Sequence, residues 1–283
     1  MMFDTWRYLG QFLKDVKRFH LMITSKEMMK LDLTFDEEHE FMQMFESSFY
    51  DNFTTISTDH VIHFVSKLKG WPAKLLKLDI HVCLLKINIE IPSTIKYLTI
   101  YENVEGTYII PTSVTHLTLK NYLNKYENEY IPTSVTHLVF DNCDDTNMYY
   151  FRIPSSVTHL ILNPTTFDGF IESFSNKFIP TSVTYLRFGE GFNQRIDGCI
   201  PNSVTHLVFG ECFNYSIDNC IPNSVTHLVF GACFHQSVNN LPSSVRKIIF
   251  HDIINVDRKV DIKKSLSGRN VKIIFINNNN GFF

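Results

Sequence analysis

The chain predicts a repeat solenoid: short parallel strands stacked coil upon coil, behind an N-terminal helical cap. Three observations predict it. Nine of the ten prolines stand in one register (Pro72, Pro92, Pro111, Pro132, Pro154, Pro180, Pro201, Pro222 and Pro242) and return about every 21 residues, a repeat-protein period. The residues around them are near-copies of Ile-Pro-x-Ser-Val-Thr-His-Leu-x-Phe. Inside each copy, apolar and outward positions alternate with the two-residue period of a half-buried strand.

One coil shows the logic. In the unit from Ile200 to Asn219, Val204, Leu207 and Phe209 follow the L-x-x-L-x-L pattern, and Cys212 falls where leucine-rich repeats place Asn or Cys. The same frame fits Leu75, Leu78, Ile80, Cys83; Val135, Leu138, Phe140, Cys143; and Val225, Leu228, Phe230, Cys233. A closing copy without proline reads Val271, Ile274, Ile276, Asn279, with Gly268 in the place of proline. This is a leucine-rich-repeat-like, α/β-type coil. The β-branched and aromatic stretch from Val204 to Phe209 suits a strand. Leu207 and Phe209 point one way, so His206 and Val208 point the other. Proline cannot donate to a ladder, so it stands just before the strand and turns the chain into it. Ser203 is placed to satisfy a loose backbone group at that corner. Gly189, Gly210, Gly231 and Asn142 allow the turn after the strand. Phe192, Phe213 and Phe234, then Ile196, Ile217 and Val238, supply the apolar contacts of the return leg.

Four segments follow. Residues 1–50 do not repeat and form a helical cap, with helix-like spacing from Thr5 to Leu31. A capping box at Thr34-x-x-Glu37 opens a second helix carrying Phe41, Met42, Phe45 and Phe49. Residues 51–70 lead into the array, with a degenerate strand at His60–Val65. Residues 71–276 are the array: nine proline-marked coils and a closing one, with a return-side bulge at Asn163–Phe178. Residues 277–283 are an Asn-rich, frayed tail.

Composition bounds the function. A net charge of −3 supplies no basic field for nucleic acid. No run of about 18 apolar residues exists to span a bilayer, and no signal peptide is apparent. The expected compartment is cytoplasmic or nuclear. Cys83, Cys143, Cys212 and Cys233 share one repeat position, which argues for the interior. Cys199 and Cys220 share another and stack on adjacent coils, as reduced thiols in cytosol or as a disulfide if oxidised.

The run Gly189-Glu-Gly-Phe-Asn-Gln…Cys-Ile-Pro201-Asn-Ser-Val-Thr-His-Leu resembles the FNIP repeat, named for its Phe-Asn and Ile-Pro elements. Phe192-Asn193, Phe213-Asn214 and Phe234-His235 match the first element. Eight copies from Ile91-Pro92 to Leu241-Pro242 match the second, and the resemblance covers residues 71–250. It implies a relative of the leucine-rich repeat, of the kind found in giant DNA viruses and social amoebae. Many such proteins carry an N-terminal F-box, which binds a Skp1-type adaptor of a cullin ubiquitin ligase. Phe12, Leu13, Asp15, Val16, Phe19, Ser25 and Lys26 resemble the second half of an F-box; its opening Leu-Pro-x-Glu element is absent. The resemblance implies adaptor binding through Phe12, Leu13, Asp15, Val16 and Phe19.

Two outward columns mark the expected protein-binding face on the concave sheet. The first holds His116, His137, His159, Tyr185, His206 and His227. The second holds Val139, Ile161, Arg187, Val208 and Val229, and so many exposed aliphatic groups suggest a partner. Convergent ligands for a metal are lacking in that column, so neither metal nor cofactor is expected. No G-x-S-x-G, Walker loop, H-E-x-x-H or dinucleotide fingerprint occurs, and the chain is not expected to be an enzyme. Stacked imidazoles also predict that mild acid weakens the array or its binding. The expected function is protein–protein recognition, as the substrate-recognition subunit of a cullin-type ubiquitin ligase; the alternative is a stand-alone scaffold or decoy.

Overall fold

The structure is a computed structural model that describes residues 34–35, 55–58, 77–81, 89–101, 108–120, 130–142, 152–163, 178–251 and 256–276. The chain divides into two compact units, residues 1–115 and 116–283.

In the first unit, β1 (Thr34–Phe35), β2 (Thr55–Thr58), β3 (Lys77–His81) and β5 (Tyr97–Tyr101) pair in parallel, in that order. The short β4 (Ile89–Glu90) and β6 (Tyr108–Ile109) form their own parallel pair. The ladder therefore begins before residue 71, with two strands that carry no proline mark. Phe35 is extended, so no helix starts directly after Thr34 as the capping box suggested. The remaining residues of both expected helices lie outside the described residues, as do His60–Val65, residues 164–177 of the expected bulge and the tail.

The second unit is a parallel sheet in chain order: β7 (His116–Lys120), β8 (His137–Asp141), β9 (His159–Asn163), β10 (Tyr185–Phe188), β11 (His206–Val208), β12 (His227–Phe230), β13 (Lys247–His251) and β14 (Lys272–Ile276). Strict chain order is what a solenoid requires, because each coil can bury its apolar face only against its neighbours.

Among the described residues, each proline carbonyl accepts a hydrogen bond from the backbone N–H three residues on. Val204 N donates to Pro201 O at 3.1 Å, Val225 N to Pro222 O at 3.1 Å, and the same bond recurs from Pro92 to Pro242. Proline thus closes a tight turn, while its missing N–H leaves no donor to satisfy. The serine after it stitches coils together: Ser203 Oγ donates to Val183 O at 2.7 Å, and Ser224 Oγ to Val204 O at 2.7 Å.

Inward positions line up in register. Leu186, Leu207, Leu228 and Ile248 pair along one row, and all are fully buried. Next to them runs a phenylalanine spine. Phe188, Phe209, Phe230, Phe250 and Phe275 stack at 5.5–5.6 Å from coil to coil. Phe192, Phe213 and Phe234 on the return leg lie 3.8–4.2 Å from the strand ring of their own coil. Rings at these separations add offset-stacking energy to their area burial.

Three expectations need correction. The closing copy is one residue out of frame: Ile273 pairs with Ile248 and Phe275 with Phe250, so Ile273 and Phe275 continue the inward rows, not Ile274 and Ile276. Four consecutive apolar residues fit either face. Stacking of Phe275 on the spine selects the observed one, because a one-residue slip exchanges the two faces. Second, Cys212 and Cys233 are exposed, since the following Phe213 and Phe234 take the interior site; Cys83 and Cys143 lie outside the described residues. Cys199 and Cys220 form no disulfide and lie half-buried on adjacent coils. Third, Gly189, Gly210 and Gly231 have no positive φ; Asn142 (φ 56°), Gly198 (φ 67°) and Asn219 (φ 59°) do. Space explains the glycines: a Cβ on Gly210 would run into the carbonyl group of Gly189 and lie 2.6 Å from Glu190 Cα. The last return leg, for which the sequence carried no reading, is a helix, α1 (Val256–Ser265), which buries Ile262.

Candidate functional site

The open face of the second unit is built from the first and third residues of each strand. Alternation in the strands leaves these positions half-exposed while their neighbours are buried. Pairing sets the first row as His116, His137, His159, Tyr185, His206, His227, Lys247 and Lys272. The third row pairs Thr118, Val139, Ile161, Arg187, Val208, Val229, Ile249 and Ile274. Every residue of the expected binding face is thus brought onto one surface. The two lysines that extend the first row were not anticipated, although the repeat frame places them there. Phe12, Leu13, Asp15, Val16 and Phe19 lie outside the described residues.

The imidazoles are stacked. Ring centroids are 4.1 Å apart for His116–His137, 4.2 Å for His137–His159 and 4.3 Å for His206–His227, with planes within 15° of parallel. Tyr185 bridges the two groups at 5.5 Å and 6.4 Å. Behind each ring stands the preceding threonine: Oγ1 lies 2.9 Å from Nδ1 at Thr136–His137, Thr205–His206 and Thr226–His227. The same hydroxyl lies 3.2 Å from a threonine carbonyl of the previous coil at Thr205 and Thr226. A hydroxyl both donates and accepts. It can donate to a neutral Nδ1, or accept from a protonated ring while donating to the carbonyl. Either way the hydroxyl engages Nδ1, and Nε2 is the remaining polar atom of the ring.

Rings stacked in parallel aim their nitrogens alongside one another, so the column does not converge on a point. Among the described residues no group of three or more His, Cys, Asp or Glu is placed to hold a metal ion. Cys212 and Cys220 are not poised as nucleophiles. Burial pushes Cys212 up, helped by Cys233, Glu211 and Glu190, and burial with Asp197 pushes Cys220 up to about 11. A cleft of about 370 Å³ opens between β13 and the closing coil, lined by Leu241, Val245, Ile248, Leu266 and Val271. At its rim Arg269 donates to the carbonyls of Leu241 and Asn239, both at 2.6 Å. No carboxylate or imidazole lines the cleft to act as acid or base.

Burial, and then its stacked neighbours His116 and His159, hold His137 below the ordinary 6.5. Burial followed by His159 lowers His116, and burial followed by His206 and Lys247 lowers His227. A histidine whose folded value is depressed binds its proton more readily once unfolded. Its contribution to stability is full above about pH 6.5 and is lost as pH falls through the folded values. The melting temperature should therefore fall by a few degrees from about pH 7.5 to about pH 5.5. Circular dichroism melts check this, and an unchanged midpoint would contradict it.

Both elements of the repeat signature have a structural role. Phe192, Phe213 and Phe234 fill the core, and Asn193 and Asn214 tie successive coils. Asn214 N donates to Asn193 Oδ1, and His235 N to Asn214 Oδ1, each at 2.8 Å. Ile200 and Ile221 are buried beside the proline turns. The FNIP Repeat family model matches residues 192–233 and 213–253. A solved structure titled as that of CroV588, a novel circular LRR protein, is similar at 22% identity and a TM-score of 0.45. The match covers 86% of this chain and 49% of that one, so this chain spans about half that protein's length. No curated protein matches the chain. Residues 192–253 therefore carry FNIP repeats, set in a solenoid of parallel strands stacked in chain order.

Proposed function

We propose that the open face of the second unit holds a protein target, and that the chain is a substrate-recognition subunit of a cullin-type ubiquitin ligase acting in the cytosol or nucleus. Repeat solenoids of this class present extended surfaces for protein recognition. One observation carries the reading: two half-exposed aliphatic runs, Val139–Ile161 and Val208–Val229–Ile249, flank Arg187 beside the stacked imidazoles. Contiguous apolar surface of that kind marks an interaction site. The ligase role rests on the F-box resemblance of residues 12–26. The absent Leu-Pro-x-Glu opening favours a second reading, a scaffold or decoy without an adaptor.

Affinity purification of the full chain from cells tests both parts. Val208→Glu with Val229→Glu should remove at least about nine-tenths of captured target, since each places a charge where apolar contact is made. Leu13→Asp with Phe19→Asp should remove a Skp1-type adaptor and leave the target bound. Target retained by the first variant overturns the face assignment. Adaptor absent from the wild type, or retained by the second variant, overturns the ligase role and leaves the scaffold.

A further inference from the structure

We infer that the occupant of the open face is an extended segment alternating acidic and aliphatic residues, and that protonation of the imidazole column tightens its grip. The inference rests on the recognition reading above and adds the chemistry of the partner and a proton switch.

Charge is distributed unevenly. The chain holds 29 acidic and 26 basic residues. Yet neither the first row, from His116 to Lys272, nor the third, from Thr118 to Ile274, contains an acid. Of the acids at the margin of the face, Asp141 and Glu190 are in ion pairs, and Glu211, stacked on Glu190, is exposed. Asp141 Oδ2 lies 3.1 Å from Lys120 Nζ, and Glu190 Oε1 accepts from Arg187 at 2.9 Å. The charged and titratable groups around the column are therefore these two ion pairs, Glu211, Tyr185, Lys247, Lys272, His251 at the end of β13, and Arg246, which donates to Ser243 O. The two rows themselves carry cations and no acid, and imidazole is the side chain that gains positive charge in mild acid. A surface of that sign complements carboxylates.

Spacing sets the form of the ligand. First and third residues of a strand stand about 6.6 Å apart, and coils about 4.8 Å apart. A peptide laid along the coils sends alternate side chains to opposite sides. One set meets the imidazole and lysine row, and the other meets Val139, Ile161, Val208 and Val229. From His137 to Lys247 the row crosses six strands, about 24 Å, enough for about seven extended residues. Acid has two opposed effects here: it destabilises the free fold, and it creates the charges a carboxylate ligand neutralises. Binding of the acidic segment must raise the affinity of the column for protons, by linkage.

The test uses the full chain and three labelled synthetic peptides of about eight residues, alternating valine with glutamate, lysine or serine. Fluorescence anisotropy is read at about pH 7.5 and about pH 5.5, with circular dichroism confirming the fold at both. The glutamate–valine peptide should bind about tenfold more tightly at the lower pH and beat the other two. His206→Asn with His227→Asn should reduce that pH response while the melting temperature at neutral pH is retained. The inference is overturned if glutamate–valine does not bind at either pH. Equal binding of lysine–valine, a Kd independent of pH, or a pH response unchanged in the double variant each overturn it too. If Val208→Glu with Val229→Glu still abolishes target capture in those cases, the recognition reading survives and only the acidic-segment inference falls.

Discussion

Leu207→Asp should abolish cooperative folding of the unit formed by residues 116–283. Leu207 is fully buried and pairs with Leu186 on one side and Leu228 on the other. A carboxylate there sits in two coil interfaces at once, with no buried cation among the neighbouring inward residues. Burying an unpaired charge costs far more than the roughly 4–5 kcal/mol that marks the severe end of single substitutions. Leu207→Ala provides the graded control: it removes apolar contact and leaves a cavity, for about 2–5 kcal/mol. Because solenoid stability is a sum over neighbours, damage should spread outward from the altered coil. Hydrogen exchange should show protection lost first in β10, β11 and β12. A Leu207→Asp protein melting within a few degrees of wild type would show that the inward row is not the core.

Gly210→Ala should be nearly as damaging, for a different reason. The added methyl would strike the carbonyl of Gly189 and approach Glu190 Cα to 2.6 Å, and these are backbone atoms of the preceding coil. Backbone cannot rotate aside as a flexible side chain does, so coil spacing or the strand ladder must give. Overpacking of this kind costs about 1–3 kcal/mol, and more where nothing can relax. Gly268→Ala is the comparison. Gly268 has φ +78° but nothing within 4 Å of a new Cβ. Its cost is the backbone strain alone, about 1–2 kcal/mol. Thermal melts of the two variants should rank Gly210→Ala as the more destabilised. The reverse order would mean that conformation, not space, selects glycine after the strand.

These glycines show where sequence reasoning reached its limit. The sequence shows a glycine after three successive strands, and a turn is the usual reason for one. Only the stacked neighbour shows that the methyl has nowhere to go. The cysteines make the same point. Periodicity put Cys212 and Cys233 in one repeat position, but periodicity does not say which of two adjacent residues faces in. Phe213 and Phe234, larger and more apolar, take the core, and the thiols are left outside. In the last coil, Ile273, Ile274, Phe275 and Ile276 are all apolar, so alternation carries no information and long-range stacking on Phe250 decides. Helix α1 was hidden because its apolar side is small: Ile262 and Leu266, four residues apart, are buried while Val256 and Val260 are exposed.

The amino-acid sequence by itself determined the repeat, the alternation of inward and outward rows, the proline turn and the membership of the open face. Each of these depends on local spacing, and local spacing is copied faithfully from coil to coil. Tertiary structure alone decided the register of the closing strand, the steric need for glycine, the exposure of the thiols and the stacking of imidazoles against a threonine relay. Those properties belong to pairs of coils some 20 residues apart. A single copy contains neither its neighbour's backbone nor the ring that will stack on it.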